Sequence, residues 1–348
     1  MLKQVQHDGH QKGDDLLFHH PKRMRVLLTG SSGWLGRFLA PLLRSAGHDV
    51  TGLDVAPGVD TDVIGSVADR ALIDRIFADR GVEAVIHSAA LHKPDIARYP
   101  SQAFVDVNVT GALNLLEAAS AAGHDRFIFT STTSLMISDA IRRAEGDRAV
   151  WMDETMVPLE PRNIYGVTKL AAEHLCRLFH QERGLACLVL RTGRFFPEDD
   201  DTHAEPSGEN LKANELLNRR LTVEDAAAAH LVALNRAVDI GFGTFILSAP
   251  TPFVPGDAPA LKADAAAVIA RYFPDAAALY AQRGWVLPSS IDRVYDAGLA
   301  ERVLGFRAAT DFGTVLDAIR AGAPLPVAHD AAYISPKEQP GARKTVSG

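Results

Sequence analysis

The sequence predicts an α/β protein: a Rossmann-type, doubly wound parallel sheet with a small C-terminal substrate-binding lobe. Three observations predict it. From Met24 onward, short β-branched or aliphatic runs alternate with longer amphipathic segments, the pattern of strands covered by helices on both faces. A glycine-rich turn, Thr29-Gly-Ser-Ser-Gly-Trp-Leu-Gly36, follows the first such run and opens the first helical one. Tyr165 and Lys169 stand four residues apart in Asn163-Ile-Tyr-Gly-Val-Thr-Lys169, so on a helix they project from the same face.

The elements follow in order. Met24 to Thr29 reads as the first strand, Gly33 to Ala46 as the first helix and Asp49 to Asp54 as the second strand. A third strand is expected over Asp62 to Ser66, then a helix from Ala68 to Arg80 that Gly81 stops. Glu83 to Ser88 continues as a strand, Ser101 to Ala122 as one long helix and Arg126 to Ser131 as a buried strand. The helix of Tyr165 and Lys169 runs to Arg183, and Leu185 to Arg191 makes a further strand. Beyond it lies an acidic, turn-rich stretch from Pro197 to Glu209. An alanine-rich helix then opens at Val223, Gly243 to Ser248 reads as a late strand, and shorter helical pieces cover Pro259 to Tyr272, Ala276 to Gln282 and Asp296 to Leu304.

At 348 residues and 47% hydrophobic content the chain can bury a substantial core. A net charge of -7 gives it no broad basic surface, which argues against nucleic acid or an anionic membrane as partner. No apolar run reaches the roughly 20 residues needed to cross a bilayer. Cys176 and Cys187 lie apart in apolar surroundings, so reduced core thiols and a cytoplasmic location are expected. No histidine cluster points to a metal; His7, His10, His19 and His20 fall in a polar leader that reads as a tail.

A helix begins with unpaired amides and a partial positive charge, so a pyrophosphate can sit there if the backbone comes close enough. Gly30, Gly33 and Gly36 permit that approach. Asp54 ends the second strand 18 residues beyond Gly36, where a carboxylate can accept hydrogen bonds from ribose hydroxyls and repel a 2′-phosphate. NAD is thus favoured over NADP, although Arg37 stands close enough in sequence to offset the repulsion.

A tyrosine phenol near pKa 10 needs roughly 4 kcal/mol of help to ionise at neutral pH. Lys169 and a positively charged nicotinamide ring can supply it, leaving Tyr165 to exchange a proton with a substrate hydroxyl during hydride transfer. A hydroxyl from Thr130-Ser-Thr-Thr-Ser134 should orient that substrate oxygen, with Thr132 at the expected strand end and Ser131 and Ser134 as rivals. His87 follows a buried strand and reads as a coenzyme-facing wall or a hydrogen-bonded core histidine.

Together these motifs, with His87-Ser-Ala-Ala90, Asn108-Val-Thr-Gly111, Glu173, Val223-Glu-Asp225 and Leu304-Gly-Phe306, resemble the extended short-chain dehydrogenase/reductase family, in its branch of NAD-dependent epimerases and dehydratases. The resemblance spans about residues 24 to 320 and includes UDP-glucose 4-epimerase-like proteins. It implies Thr132, Tyr165 and Lys169 as the catalytic set. It implies coenzyme contacts from Gly30, Ser32, Gly33, Trp34, Leu35, Gly36, Asp54, Ser66, Val67, Ser88, Ala89, Ala90, Asn108, Tyr165 and Lys169. Asp69 matches a retained position of the adenine-contacting motif, whereas Ser66 replaces its usual aspartate. The family also implies a homodimer. The expected organisation is a tail at 1–23, a coenzyme domain at 24–192 joined by 220–248, a substrate lobe from 193–219 and 249–325, and a second tail at 326–348.

Two departures bear on substrate. Arg194, in Arg191-Thr-Gly-Arg-Phe-Phe-Pro197, replaces the asparagine of sugar-nucleotide enzymes, and the place of a diphosphate-binding arginine falls on Asn218, beside Arg219 and Arg220. Glu198, Asp199, Asp200 and Asp201 add negative charge to the expected phosphate region. Ser134, Arg194 and Arg220 are the candidate substrate residues. The first reading is an epimerase acting on a sugar or sugar nucleotide; the alternatives are an alcohol or sugar dehydrogenase with exchangeable NAD(P) and a non-catalytic NAD sensor. A dehydratase is disfavoured, because Thr133 and Ser134 occupy the place of its Asp-Glu pair.

Overall fold

The computed structural model describes residues 23–197, 208–327 and 333–334. Its strands are β1 (Arg25–Thr29), β2 (Asp49–Asp54), β3 (Val63–Ile64), β4 (Ala84–His87), β5 (Arg126–Thr132), β6 (Val150–Met152), β7 (Ala186–Thr192), β8 (Phe242–Leu247) and β9 (Arg293–Tyr295). Seven of them form one parallel sheet in the order β3-β2-β1-β4-β5-β7-β8, while β6 and β9 pair as a separate two-stranded parallel ribbon. The helices are α1 (Trp34–Ser45), α2 (Arg70–Arg80), α3 (Ser101–Phe104), α4 (Gly111–Ala121), α5 (Asp139–Arg142), α6 (Ile164–Arg183), α7 (Gly208–Glu215), α8 (Val223–Ile240), α9 (Ala258–Ala263), α10 (Ala265–Tyr272), α11 (Ala276–Gln282) and α12 (Phe312–Ala321).

Successive side chains of a strand point to opposite faces, so each central strand feeds two cores. Val26, Leu28, Ile86, Ile128 and Leu188 pack with α1 and α8, whereas Leu27, Val85, Phe127, Phe129 and Val189 pack with α2, α4 and α6. Wholly buried leucines such as Leu27, Leu28, Leu39 and Leu53 each contribute about 1.5–3 kcal/mol of burial. This two-sided covering is the doubly wound arrangement that the alternation predicts. A third core, from Leu216 and Leu217 through Val268, Tyr280 and Phe312 to Val315, joins the later helices.

Capping explains where the site-bearing helices begin and end. Asn163 accepts a hydrogen bond from the Gly166 amide at 2.9 Å to start α6, and Gly184, at φ +69°, ends it. Asp69 caps α2 through the Leu72 amide at 3.0 Å.

Some elements differ from expectation. The third strand shortens to Val63–Ile64, because it is an edge that pairs only with Leu53 and Asp54. The single helix expected from Ser101 to Ala122 is broken by a wide π-helical segment, Val105–Thr110. The piece expected from Pro259 to Tyr272 divides into α9 and α10 at Asp264, which caps the second of them. The stretch expected to be helical over Asp296 to Leu304 keeps only the π-helical turn Ala300–Leu304. The ribbon of β6 and β9, and helices α7 and α12, were not anticipated; three-residue strands carry too little alternation to stand out.

Candidate active site

Sheet order reverses at β1, whose two neighbours are β2 and β4, and the crevice beyond the carboxyl ends of β1 and β4 is where doubly wound sheets bind ligands. The glycine turn fills the floor of that crevice. Gly30 takes φ +77°, and a Cβ there would lie 2.8 Å from the Ala89 nitrogen and 2.9 Å from the Ser88 hydroxyl. A Cβ on Gly36 would stand 2.2 Å from the Gly30 carbonyl oxygen, so α1 packs against the turn only as glycine. No side chain caps α1 at Gly33, and a helix start carries a partial positive charge.

Asp54 accepts from the Ser32 amide at 3.0 Å and the Ala56 amide at 3.1 Å, tying the end of β2 to the turn. Trp34 and Leu35 are buried in the core, and the Trp34 indole donates to the Phe195 carbonyl at 3.1 Å. The guanidinium of Arg37 lies over the rings of Trp34 and Tyr333, at 5.8 and 5.2 Å.

The opposite wall follows β4. Ser88 donates to the Thr29 carbonyl at 2.7 Å, and the Ala89 amide to the Thr29 hydroxyl at 3.2 Å, with Ala90 next in the same loop. That hydroxyl also bonds Nδ1 of His87 at 2.8 Å. His87 is wholly buried; burial, then the charge of Lys169, lowers its pKa to about 3, so it is a neutral, hydrogen-bonded core histidine. Asn108 exchanges two 2.9 Å hydrogen bonds with the backbone of Leu91 and donates to the Thr168 hydroxyl at 3.0 Å, linking this loop to α6. Further out, the Ser66 hydroxyl accepts from the Ala68 amide at 3.2 Å, and Val67 packs against Gly111.

Thr132 ends β5, and its hydroxyl is close enough to the Tyr165 phenol on α6 to favour the phenolate. The Thr132 hydroxyl also accepts from the Ser134 amide at 3.0 Å. Lys169 donates to the Thr130 carbonyl at 2.7 Å and sits 4.5 Å from the centroid of the Phe129 ring. Burial lowers the Lys169 ammonium to about 7, against the opposing pull of Glu173. Burial pushes the Tyr165 phenol up to about 12; the Thr132 hydroxyl lowers it and the Asp95 carboxylate raises it. The lowering expected from the sequence is therefore not supplied by the chain's own groups. Of the rival hydroxyls, Ser131 donates to Glu173 at 2.6 Å, while Ser134 is half-buried just beyond Thr132. Sequence reasoning missed the roles of Asp95, Ser131 and Arg191; only the i+4 spacing of Glu173 from Lys169 signalled anything there.

Beyond β7, Arg194 and Arg220 bridge through their backbones, and their side chains turn with Arg219 toward the buried carboxylate of Glu215. The distances are 3.9, 2.7 and 3.0 Å for Arg194, Arg220 and Arg219. Burial alone would raise the Glu215 carboxyl, but Arg219, Arg220 and Arg194 outweigh it and hold it below its ordinary value. Arg220 also donates to the Phe196 carbonyl. Asn218 is bound to the backbone of β9, donating to the Arg293 carbonyl at 2.8 Å and accepting from the Tyr295 amide at 2.8 Å. The acidic run from Glu198 to Asp201 lies outside the described residues.

The sequence profile of the NAD-dependent epimerase/dehydratase family matches residues 26–242. The chain belongs to that family. It is accordingly an enzyme of the extended short-chain dehydrogenase/reductase type. Curated relatives in this family include an L-arabinose 1-dehydrogenase (NAD(P)(+)) of Haloferax volcanii, 34% identical over 185 residues, covering 51% of this chain and 69% of that enzyme. A UDP-glucose 4-epimerase of Corynebacterium glutamicum is 32% identical over 177 residues, covering 48% of this chain and 50% of its own length. The family fold recurs in the UDP-glucose 4-epimerase of Thermotoga maritima, solved with UDP-glucose, at TM-score 0.59 and 20% identity over 86% of this chain and 99% of that one. It recurs equally in a short-chain dehydrogenase/reductase superfamily protein of Agrobacterium tumefaciens with bound NAD, at TM-score 0.59 and 24% identity over 86% and 97% of the two chains. Among the described residues, no helix is long and apolar enough to cross a membrane.

Proposed function

We propose that this enzyme is an NAD-dependent dehydrogenase acting on a hydroxyl of a sugar that carries no nucleotide. The reaction centre rests on one observation: Lys169, one turn after Tyr165 on α6, donates to the Thr130 carbonyl of β5, which ties α6 to the strand that ends at Thr132, in the same sheet whose β1–β4 crevice holds the glycine turn. Gly30, Gly33 and Gly36 fit a dinucleotide, since Gly30 and Gly36 have no room for a Cβ and no side chain caps α1 at Gly33. Asp54, beside Ser32, would take the adenine ribose hydroxyls and favour NAD over NADP. Ser66, Val67, Ser88, Ala89 and Ala90 would line the adenine and nicotinamide ends, with Asn108 holding the loop of the latter in place.

Thr132 orients the substrate oxygen, and Tyr165 takes or returns its proton at the phenolic oxygen. Lys169, as ammonium, favours the phenolate electrostatically. The bound nicotinamide supplies the hydride acceptor and the positive charge that the phenolate needs. Ser134, half-buried two residues beyond Thr132, is a further hydroxyl for a substrate contact.

The lobe favours a substrate without a diphosphate. Asn218, in the expected place of a diphosphate-binding arginine, is bound to β9, and Arg220 is buried against Glu215 and Phe196. The L-arabinose 1-dehydrogenase relative supports the same reading. One observation favours the second reading, epimerisation of a sugar nucleotide: the side chains of Arg194 and Arg219 keep 24% and 16% exposure and can still meet an anion.

Coenzyme released from freshly purified, denatured protein tests the choice. A dehydrogenase that exchanges its coenzyme each turnover should arrive empty and bind added NAD reversibly. Near-stoichiometric retained NAD or NADH, measured by mass spectrometry, would overturn that reading in favour of an internally cycling epimerase.

A further inference from the structure

Glu173 has no part in the roles given above, yet it is bound more heavily than any of the three reacting groups. It stands one helical turn beyond Lys169 on α6. Its Oε1 accepts from the Ser131 hydroxyl at 2.6 Å and from Nε of Arg191 at 3.0 Å, and its Oε2 from Nη2 of Arg191 at 2.7 Å. Ser131, Glu173 and Arg191 are only 2%, 6% and 6% exposed. Ser131 and Arg191 also face each other in register across β5 and β7. The carboxylate thus joins α6 to two strands at the level of the reacting residues, directly before Thr132 on β5.

A buried ion pair is a poor device for stability, because apolar residues of the same shape serve as well or better. Its place one helical turn after a buried ammonium calls for another account. We propose that Glu173, clamped by Ser131 and Arg191, is a positioning residue that keeps Lys169 in its charged form. The inference rests on the roles proposed for Tyr165 and Lys169.

The groups facing Lys169 support it. On α6 these are Glu173 and Cys176; on β5 they are the Thr130 carbonyl and the Phe129 ring; on β4, His87. Arg191 on β7 acts through Glu173. His87 is neutral, and burial holds the Cys176 thiol well above its ordinary value, so neither supplies a charge to Lys169 at neutral pH. Glu173 is the carboxylate among them, and it opposes the burial that lowers the ammonium to about 7. Without that charge the amine would be neutral at working pH and the Tyr165 phenolate would lose its partner.

The test follows the Lys169 ammonium itself and needs no substrate. In the full chain labelled with ¹³C at lysine Cε, the Lys169 signal is assigned by its loss in Lys169→Met and titrated with pH. Glu173→Gln should lower its midpoint by about one unit or more, about tenfold in proton affinity, whereas Ser131→Ala, which keeps the carboxylate, should leave it nearly unchanged. If Glu173→Gln alone does not fold, the pair Glu173→Gln with Arg191→Met removes both buried charges and should shift the midpoint in the same direction. A midpoint that stays put in whichever variant folds overturns the proposal. A Tyr165→Phe protein that retains its cellular function would instead overturn the proposed reaction and leave the measured effect of Glu173 on Lys169 standing.

Discussion

Around the glycine turn, α1 begins without a side-chain cap, and the hydroxyls of Thr132 and Tyr165 come close to each other at the end of β5. In the lobe beyond β7, by contrast, Arg194, Arg219 and Arg220 converge on the carboxylate of Glu215, and Asn218 is bound to β9. One region offers polar groups to a ligand; the other spends most of its polar groups on its own architecture. The contrast teaches that a residue's chemical type does not make it a ligand-binding group. An arginine whose charge is met by a buried carboxylate is already bound within the protein, whereas the positive start of a helix can receive a phosphate.

The sharpest way to break this comparison is at the reacting end. Tyr165→Phe should reduce hydride transfer, read from the absorbance of the reduced nicotinamide, by about 10²–10⁴-fold while leaving NAD affinity within a few-fold. Full retention of turnover would remove the phenol from the reaction.

At the lobe end the expected effect is on stability. Glu215→Ala leaves Arg219 and Arg220 without their carboxylate, and breaking such a buried pair costs about 3–5 kcal/mol. Urea unfolding should show that loss, whereas NAD affinity of the folded protein should hold. If NAD binding weakens and stability does not, the assignment of the two regions is reversed.

Acid should weaken the core of the central sheet. His87 and His230 are wholly buried, with pKa values lowered by burial from 6.5 to about 3 and about 4. As pH falls below 6.5 the unfolded chain takes up their protons and the folded chain does not, so unfolding becomes easier until the pH passes the folded values. The urea midpoint should therefore fall steadily between about pH 6.5 and pH 4, a change on the order of a few kcal/mol. His230→Gln should flatten part of that slope; an unchanged slope would mean that His230 is not the group titrating.

The smallest effect sharpens the coenzyme side. Asp54→Ala should weaken NAD binding by about tenfold, or about 1.4 kcal/mol, and strengthen NADP binding as the repulsion of its 2′-phosphate is lost, as isothermal calorimetry can measure. Wild-type protein that binds NADP as tightly as NAD would defeat the role given to Asp54.

The sequence by itself determined the features that are local along the chain. The spacing of Gly30, Gly33 and Gly36 marks a turn where backbone must approach closely, and φ +77° at Gly30 with a Cβ-free contact at Gly36 is the structural form of that mark. The alternation of strands and helices specified a doubly wound sheet, because each strand must bury both faces. The four-residue spacing of Tyr165 and Lys169 put both on one turn of α6, since helix periodicity is a property of the chain alone. Only the tertiary structure decided which polar side chains are already bound. Ser131 and Thr132 are adjacent hydroxyls in sequence, yet one lies against Glu173 and the other close to Tyr165. The pairing of β6 with β9, which binds Asn218, joins segments far apart in the chain and leaves no local pattern. A hydrogen bond or ion pair is settled by a partner's position within a few ångströms, and that position is set by packing rather than by neighbouring residues.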